Sequence, residues 1–165
     1  MVRALEWLYA TSWAAGIREN DYAFPWIECV HVLAITSVVG SISVVDLRLL
    51  GLAWRERSVR RVLHDVLPIT WTAFGLAAAS GFLLFASNAT AYARNPFLQL
   101  KFGLLLLAGL NMAAFHLWAR RSLPQWDTSA VLPVRAKLAG AISLLCWFGV
   151  VAAGRWIGFT MLSRS

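Results

Sequence analysis

Glu28-x-x-His31 sets a carboxylate and an imidazole about one helical turn apart, a pairing in which the acid orients the histidine or relays a proton through it. Lys101 and Arg155 also stand inside otherwise apolar sequence. If both meet Glu28, one positive charge is left without a protein partner, and an anionic ligand would satisfy it. Three chemistries fit: a haem b ligated by His31 with its propionates on the cations, a quinone whose oxygen turns negative on reduction, or a lipid phosphate. A mononuclear metal on His31, completed by water or a partner, is a further reading. A di-metal carboxylate centre within one chain is not, because it requires more carboxylates and a second Glu-x-x-His. The plainer alternative has no ligand: one cation snorkels to the headgroups and Glu28 pairs with the other.

A second polar set comprises Asp46, Arg48, His116, Asn111 and, at the edge of the apolar sequence, His64. Its expected partners are structural. Asp46 is expected to pair with His116, Arg48 to reach anionic headgroups, and Asn111 to bond across helices. His64 with His116 is a candidate pair for a haem or metal, with Arg48, Arg60 or Arg61 near the propionates. His31 and His116 differ too much in depth to share one iron, whose two bonds of ~2 Å hold both nitrogens close.

The elements that must position these groups are four apolar stretches, 24–53, 66–87, 97–118 and 138–161, each long enough to cross a hydrocarbon core of ~20 helical residues. A charge near mid-bilayer costs about 2.5–3.5 kcal/mol on insertion scales, so the ionisable residues must face the bundle interior. Glu28 and Asp46, about five turns apart, share a face of the first span, with His31 ~60° away. The predicted fold is an all-α, integral membrane, antiparallel four-helix bundle forming a single domain over 24–161, preceded by a short amphipathic interfacial helix over 1–20 carrying Leu5, Trp7, Leu8, Tyr9 and Trp13. Glu6 interrupts what would be a signal-peptide core, and the first span is expected to serve as an uncleaved signal. Pro25, Asp65 with Pro68, Asn95-Pro96 and Pro133 mark the expected helix starts. Trp26 and Trp156 are expected at one interface and Trp54, Trp118 and Trp126 at the other. Gly154-x-x-x-Gly158 permits close helix approach within the bundle or between protomers. Cys29 and Cys146 fall at different depths and are expected to remain unpaired.

Composition supports one membrane domain: 165 residues, 59% hydrophobic and 14% charged, leave no room for a separate soluble catalytic domain. The net charge of +7 does not indicate nucleic acid, because the basic residues gather between spans. Arg55, Arg57, Arg60 and Arg61, with Arg120, Arg121, Arg135 and Lys137, stand against Arg3, Arg18, Arg94 and Arg164 on the other side. The positive-inside rule then predicts a multi-pass membrane protein with both termini on the outer side. No nucleophile, base and oxyanion constellation and no phosphate-binding glycine loop is visible.

The series Pro25-Trp26-Ile27-Glu28-x-x-His31, Asp46-Leu47-Arg48-Leu49-Leu50-Gly51, Asn95-Pro96-Phe97 with Lys101, Ala108-Gly109-Leu110-Asn111 with Phe115-His116, and Gly154-Arg155 resembles a bacterial family of small four-helix integral membrane proteins whose function is unassigned. The resemblance covers nearly everything beyond the N-terminal helix and implies the fold and the membrane location. It extends distantly to the membrane domains of copper-resistance and cytochrome b type proteins, which also place histidines in short bundles. This chain lacks the two depth-matched histidine pairs of the cytochrome b pattern.

Together these residues predict a redox-associated membrane subunit binding haem b or a quinone in the outer half of the bilayer, a subunit or electron-transfer protein rather than a free-standing enzyme. It is expected to work as a homo-oligomer or with a partner membrane protein. The alternatives are a non-enzymatic anchor or assembly subunit and a carrier of metal or small anions, although the apolar middle of the first and third spans argues against a permanently open path.

Overall fold

The computed structural model describes residues 2–129 and 131–162, and every regular element among them is an α-helix. In chain order these are α1 (Val2–Tyr9), α2 (Ser12–Glu19), α3 (Ala23–Leu50), α4 (Val59–Ser87), α5 (Ala89–Ala93), α6 (Pro96–Trp126) and α7 (Val134–Leu162). Helices α3, α4, α6 and α7 have the length and apolarity to cross a bilayer. Their outward faces carry large apolar side chains such as Leu33, Phe82, Leu106, Leu145 and Phe148, a surface suited to lipid. The chain is an all-α integral membrane protein built as an antiparallel four-helix bundle.

Helix α3 is central. It packs against α4 on one side and α7 on the other, and α7 packs in turn against α6, while α4 and α6 are not packed along each other. Helices α3 and α7 approach closely at Gly140, where an added Cβ would lie 2.9 Å from the Asp46 carbonyl oxygen. A small residue is needed there for the backbones to meet. The Gly154 and Gly158 pair does not play this part: no atom comes within 4 Å of a Cβ built on Gly158, and Gly154 borders a cavity.

Two apolar layers hold the bundle. One lies toward the arginine-rich end and joins Val45 and Leu49 of α3, Val59 and Val62 of α4, Phe115, Ala119 and Trp126 of α6, and Ala136 and Ala139 of α7. The other joins Val38, Ala73, Trp147 and Val150.

These layers explain where helix ends depart from the sequence expectation. The second span begins at Val59, not at Asp65 or Pro68: Ser58 caps it, its hydroxyl accepting from the Arg61 N–H at 3.2 Å, and Pro68 lies inside the helix. Burial of Val59 and Val62 stabilises the added turns. The third span runs past the expected end at 118 to Trp126, so Arg120 and Arg121 are helical. Trp126 stacks on Trp118 with centroids 5.3 Å apart and donates its indole N–H to Ser122 at 3.1 Å. It is a core residue rather than an interfacial one. The first span stops at Leu50 instead of continuing to 53, with Gly51 at φ 74° and the Leu52 N–H returning to the Leu47 carbonyl.

Residues 2–19 form two short helices instead of one. They fold onto the end of the bundle that carries α5: α1 lies against α5, and α2 against α3 and α4. Arg18 ties them down, its guanidinium over the Tyr9 ring at 4.1 Å and an N–H donated to the Ser87 carbonyl at 3.0 Å. Cys29 and Cys146 are both free, Cys29 exposed and Cys146 buried. Arg164 lies outside the described residues.

Candidate functional site

The outer polar residues of α3, α6 and α7 converge. Glu28, His31, Lys101 and Arg155 line one cavity of about 680 Å³ near the α5 end, together with Tyr92 of α5 and Gly81 of α4. Neither cation forms an ion pair with Glu28, so the pairing that would neutralise the set internally is not made among the described residues. Arg155 instead lays its guanidinium over the Phe159 ring at 4.8 Å. Lys101 Nζ reaches across to α7, 3.9 Å from a Cβ built on Gly154. Formally the cavity wall carries one negative and two positive charges.

His31 is held by α4. Its Nδ1 is 3.0 Å from Ser80 Oγ, and Ser80 Oγ is 2.7 Å from the Leu76 carbonyl oxygen. Ser80 Oγ also lies 3.3 Å from the Ala77 carbonyl oxygen, and with its one proton turned to these helix carbonyls Ser80 accepts from Nδ1–H of His31. In the neutral ring, Nε2 then keeps its lone pair. Gly81 makes room for the ring, since an added Cβ there would meet His31 Cε1 at 2.8 Å. Ser80 and Gly81 therefore do the orienting that the sequence reading gave to Glu28. They belong to a run of small residues whose spacing signals only close packing, and it takes the facing of α3 and α4 to turn them toward His31.

Tyr92 also went unrecognised in the sequence, because it belongs to a short helix between spans. Burial, and secondarily the Glu28 carboxylate, push its phenol above the ordinary tyrosine range.

Nearer the other end, Asp46, Asn111 and His116 line a separate cavity of about 150 Å³. The expected Asp46 to His116 pair is not formed: His116 Nδ1 donates along its own helix to the Met112 carbonyl at 2.9 Å, and Asp46 faces Ser143 of α7. A carbonyl one turn back is always within reach of a helical side chain, whereas Asp46 is carried toward α7 by the close crossing at Gly140. Arg48 does not reach the headgroups. It is 1% exposed, donates from Nε to the Arg57 carbonyl at 2.9 Å, and so fastens the loop after α3. Asn111 does bond across helices, donating to the Ala139 carbonyl at 2.9 Å.

His64 cannot join His116. Its side chain is 87% exposed and contacts Asp65 at 3.3 Å, on the solvent-facing side of α4. His31 and His116 line different cavities. Among the described residues no three His, Cys, Asp or Glu side chains gather around a possible metal position. A metal at His31 would need ligands from outside this chain.

Fold and cavity together define a small polytopic membrane protein with a charged, histidine-bearing cavity lined by its spans and open on the side where Glu28 and Arg155 are exposed. By sequence the chain belongs to a family of unknown function, DUF6644, whose model matches residues 15–160. No curated protein and no solved structure matches it.

Proposed function

We propose that this protein is a redox-associated membrane subunit that binds a quinone in the cavity lined by Glu28, His31, Lys101 and Arg155. One observation carries the reading: two cations without an ion-pair partner among the described residues face the same cavity as an imidazole whose Nδ1 is engaged by Ser80. A quinone oxygen that gains negative charge on reduction would accept hydrogen bonds from Lys101 and Arg155. A quinol hydroxyl would donate to His31 Nε2, and Glu28 would relay the proton. Haem b is the second reading, favoured by the same lone pair: His31 Nε2 would ligate the iron, and the two cations would hold the propionates.

In this reading the arginine-rich end is cytoplasmic, both termini are periplasmic and the cavity lies in the outer half of a bacterial inner membrane. Electrons would come from or go to a partner membrane protein.

The test is an oxidised and dithionite-reduced absorption spectrum of the protein purified in mild detergent, with metal analysis and quinone extraction on the same sample. A stoichiometric quinone that is lost in His31→Ala supports the first reading, and a stoichiometric Soret band that sharpens on reduction and disappears in His31→Ala supports the second. A folded protein with neither, copurifying with a larger complex, would make the cavity charges assembly contacts. A colourless protein that moves anions or metals across liposomes would make it a carrier.

A further inference from the structure

The smaller cavity poses a problem that the quinone or haem reading does not use. Asp46 is 3% exposed, and its Oδ2 is buried without a hydrogen-bond partner. Among the described residues no ion pair is made to it, and Arg48, two residues on, is turned to the Arg57 carbonyl. A buried lone carboxylate oxygen is costly unless a proton or a cation reaches it.

The rest of the cavity selects between kinds of cation. Its walls are mainly apolar and include the aromatic rings of Trp71, Phe74, Phe115 and Trp147, drawn from α4, α6 and α7. A small inorganic ion would need several oxygen ligands in place of its hydration shell. Besides Asp46, the side-chain oxygens of the lining come from Asn111, Thr70 and Ser143, and Thr70 Oγ1 is already shared with the Val66 carbonyl and the Ser41 hydroxyl, too few for such a shell. An organic cation needs much less: one carboxylate for its charge and aromatic faces around its alkyl or aryl groups. A volume of about 150 Å³ accommodates a body the size of a benzene ring. The cavity is lined by both α4 and α6, and Trp71 and Phe74 of its wall are also exposed on the outer surface, so it lies close to the lipid-facing side.

We infer that this second cavity is a binding site for a small lipophilic organic cation, its charge on Asp46 and its apolar body among Trp71, Phe74, Phe115 and Trp147. The two cavities share no lining residue, and the layer of Val38, Ala73, Trp147 and Val150 stands between them. His116 borders the site with its Nδ1 turned away to the Met112 carbonyl at 2.9 Å.

The experiment is equilibrium binding to the full chain in detergent, using phenyltrimethylammonium as the probe and tert-butylbenzene as its neutral counterpart of the same shape. Saturable binding of one cation per chain is expected, with affinity at least about tenfold above that of the neutral compound. Asp46→Asn should lower cation affinity by about tenfold and leave the neutral compound unchanged. Equal affinities in the unaltered protein would overturn the proposal without any variant being needed. Absence of saturable cation binding, or equal cation binding in Asp46→Asn, would also overturn it and would assign the Asp46 carboxyl to a protonated or hydrated structural role.

Discussion

Ser80 decides what His31 can do. Losing its hydroxyl removes one hydrogen bond, worth about 1 kcal/mol, and frees the ring to rotate. Ser80→Ala is therefore expected to weaken ligand binding in the large cavity about fivefold while the protein remains folded, measured by titration of the extracted and re-added quinone. Gly81→Ala should weaken binding more strongly, because its Cβ would meet the ring at 2.8 Å and the ring must leave its place. If both variants bind as the unaltered chain does, His31 has no part in the site. Tyr92 gives a pH test outside the spans. Its phenol is held above the usual value near 10, so the folded chain keeps a proton that the unfolded chain releases. That contribution is present below pH ~10 and is lost as pH rises through the folded value. The thermal midpoint should fall over this alkaline range, and Tyr92→Phe should fall less steeply.

Helix packing rests on a few close approaches. A Cβ at position 140 would press on the backbone oxygen of Asp46, and backbone cannot yield as a side chain can. Gly140→Ala is thus expected to push α7 from α3 and to destabilise by about 1–3 kcal/mol. Gly75→Ala meets nothing within 4 Å and should change stability by less than about 0.5 kcal/mol. Detergent thermal-shift measurements on the two variants give the comparison, and equal midpoints would mean that the α3 and α7 crossing does not limit stability. The same crossing carries Asp46 toward Ser143, so a change at Gly140 should also disturb the smaller cavity and leave the large one unaffected.

For the molecule as a whole, the basic residues divide it into two ends. Antiparallel spans bring Arg55, Arg57, Arg60, Arg61, Arg120, Arg121, Arg135 and Lys137 to one of them, away from Arg3, Arg18 and Arg94. Reporter fusions after residue 56 and at residue 20 should therefore report opposite sides, with the first in the cytoplasm. A cytoplasmic residue 20 would invert the proposal and place the quinone or haem cavity in the inner leaflet. The α1 and α2 pair, fixed by Arg18 to Ser87, covers the bundle end nearest that cavity. Arg18→Ala should raise the accessibility of the cavity to a water-soluble quinone analogue.

By itself the sequence determined the four spans, their antiparallel order and the position of each ionisable residue along its span, because hydropathy, length and proline or asparagine punctuation are local properties. Asn95 capping α6 and Pro133 preceding α7 are legible for that reason. Depth alone also grouped Glu28, His31, Lys101 and Arg155, which the structure places around one cavity. Only the tertiary structure decided the partners at a given depth. Whether Asp46 meets His116 or Ser143, and whether Glu28 or Ser80 holds His31, depends on the rotation of each helix about its axis. That rotation is set by backbone approaches such as the one at Gly140, to which residues distant in the chain contribute together. Helix ends followed the same logic: burial of Val59 and Val62 outweighed the local start signal at Asp65 and Pro68, and burial of Trp126 carries α6 through Pro124, since packing free energy accrues across the whole interface and propensity acts one residue at a time.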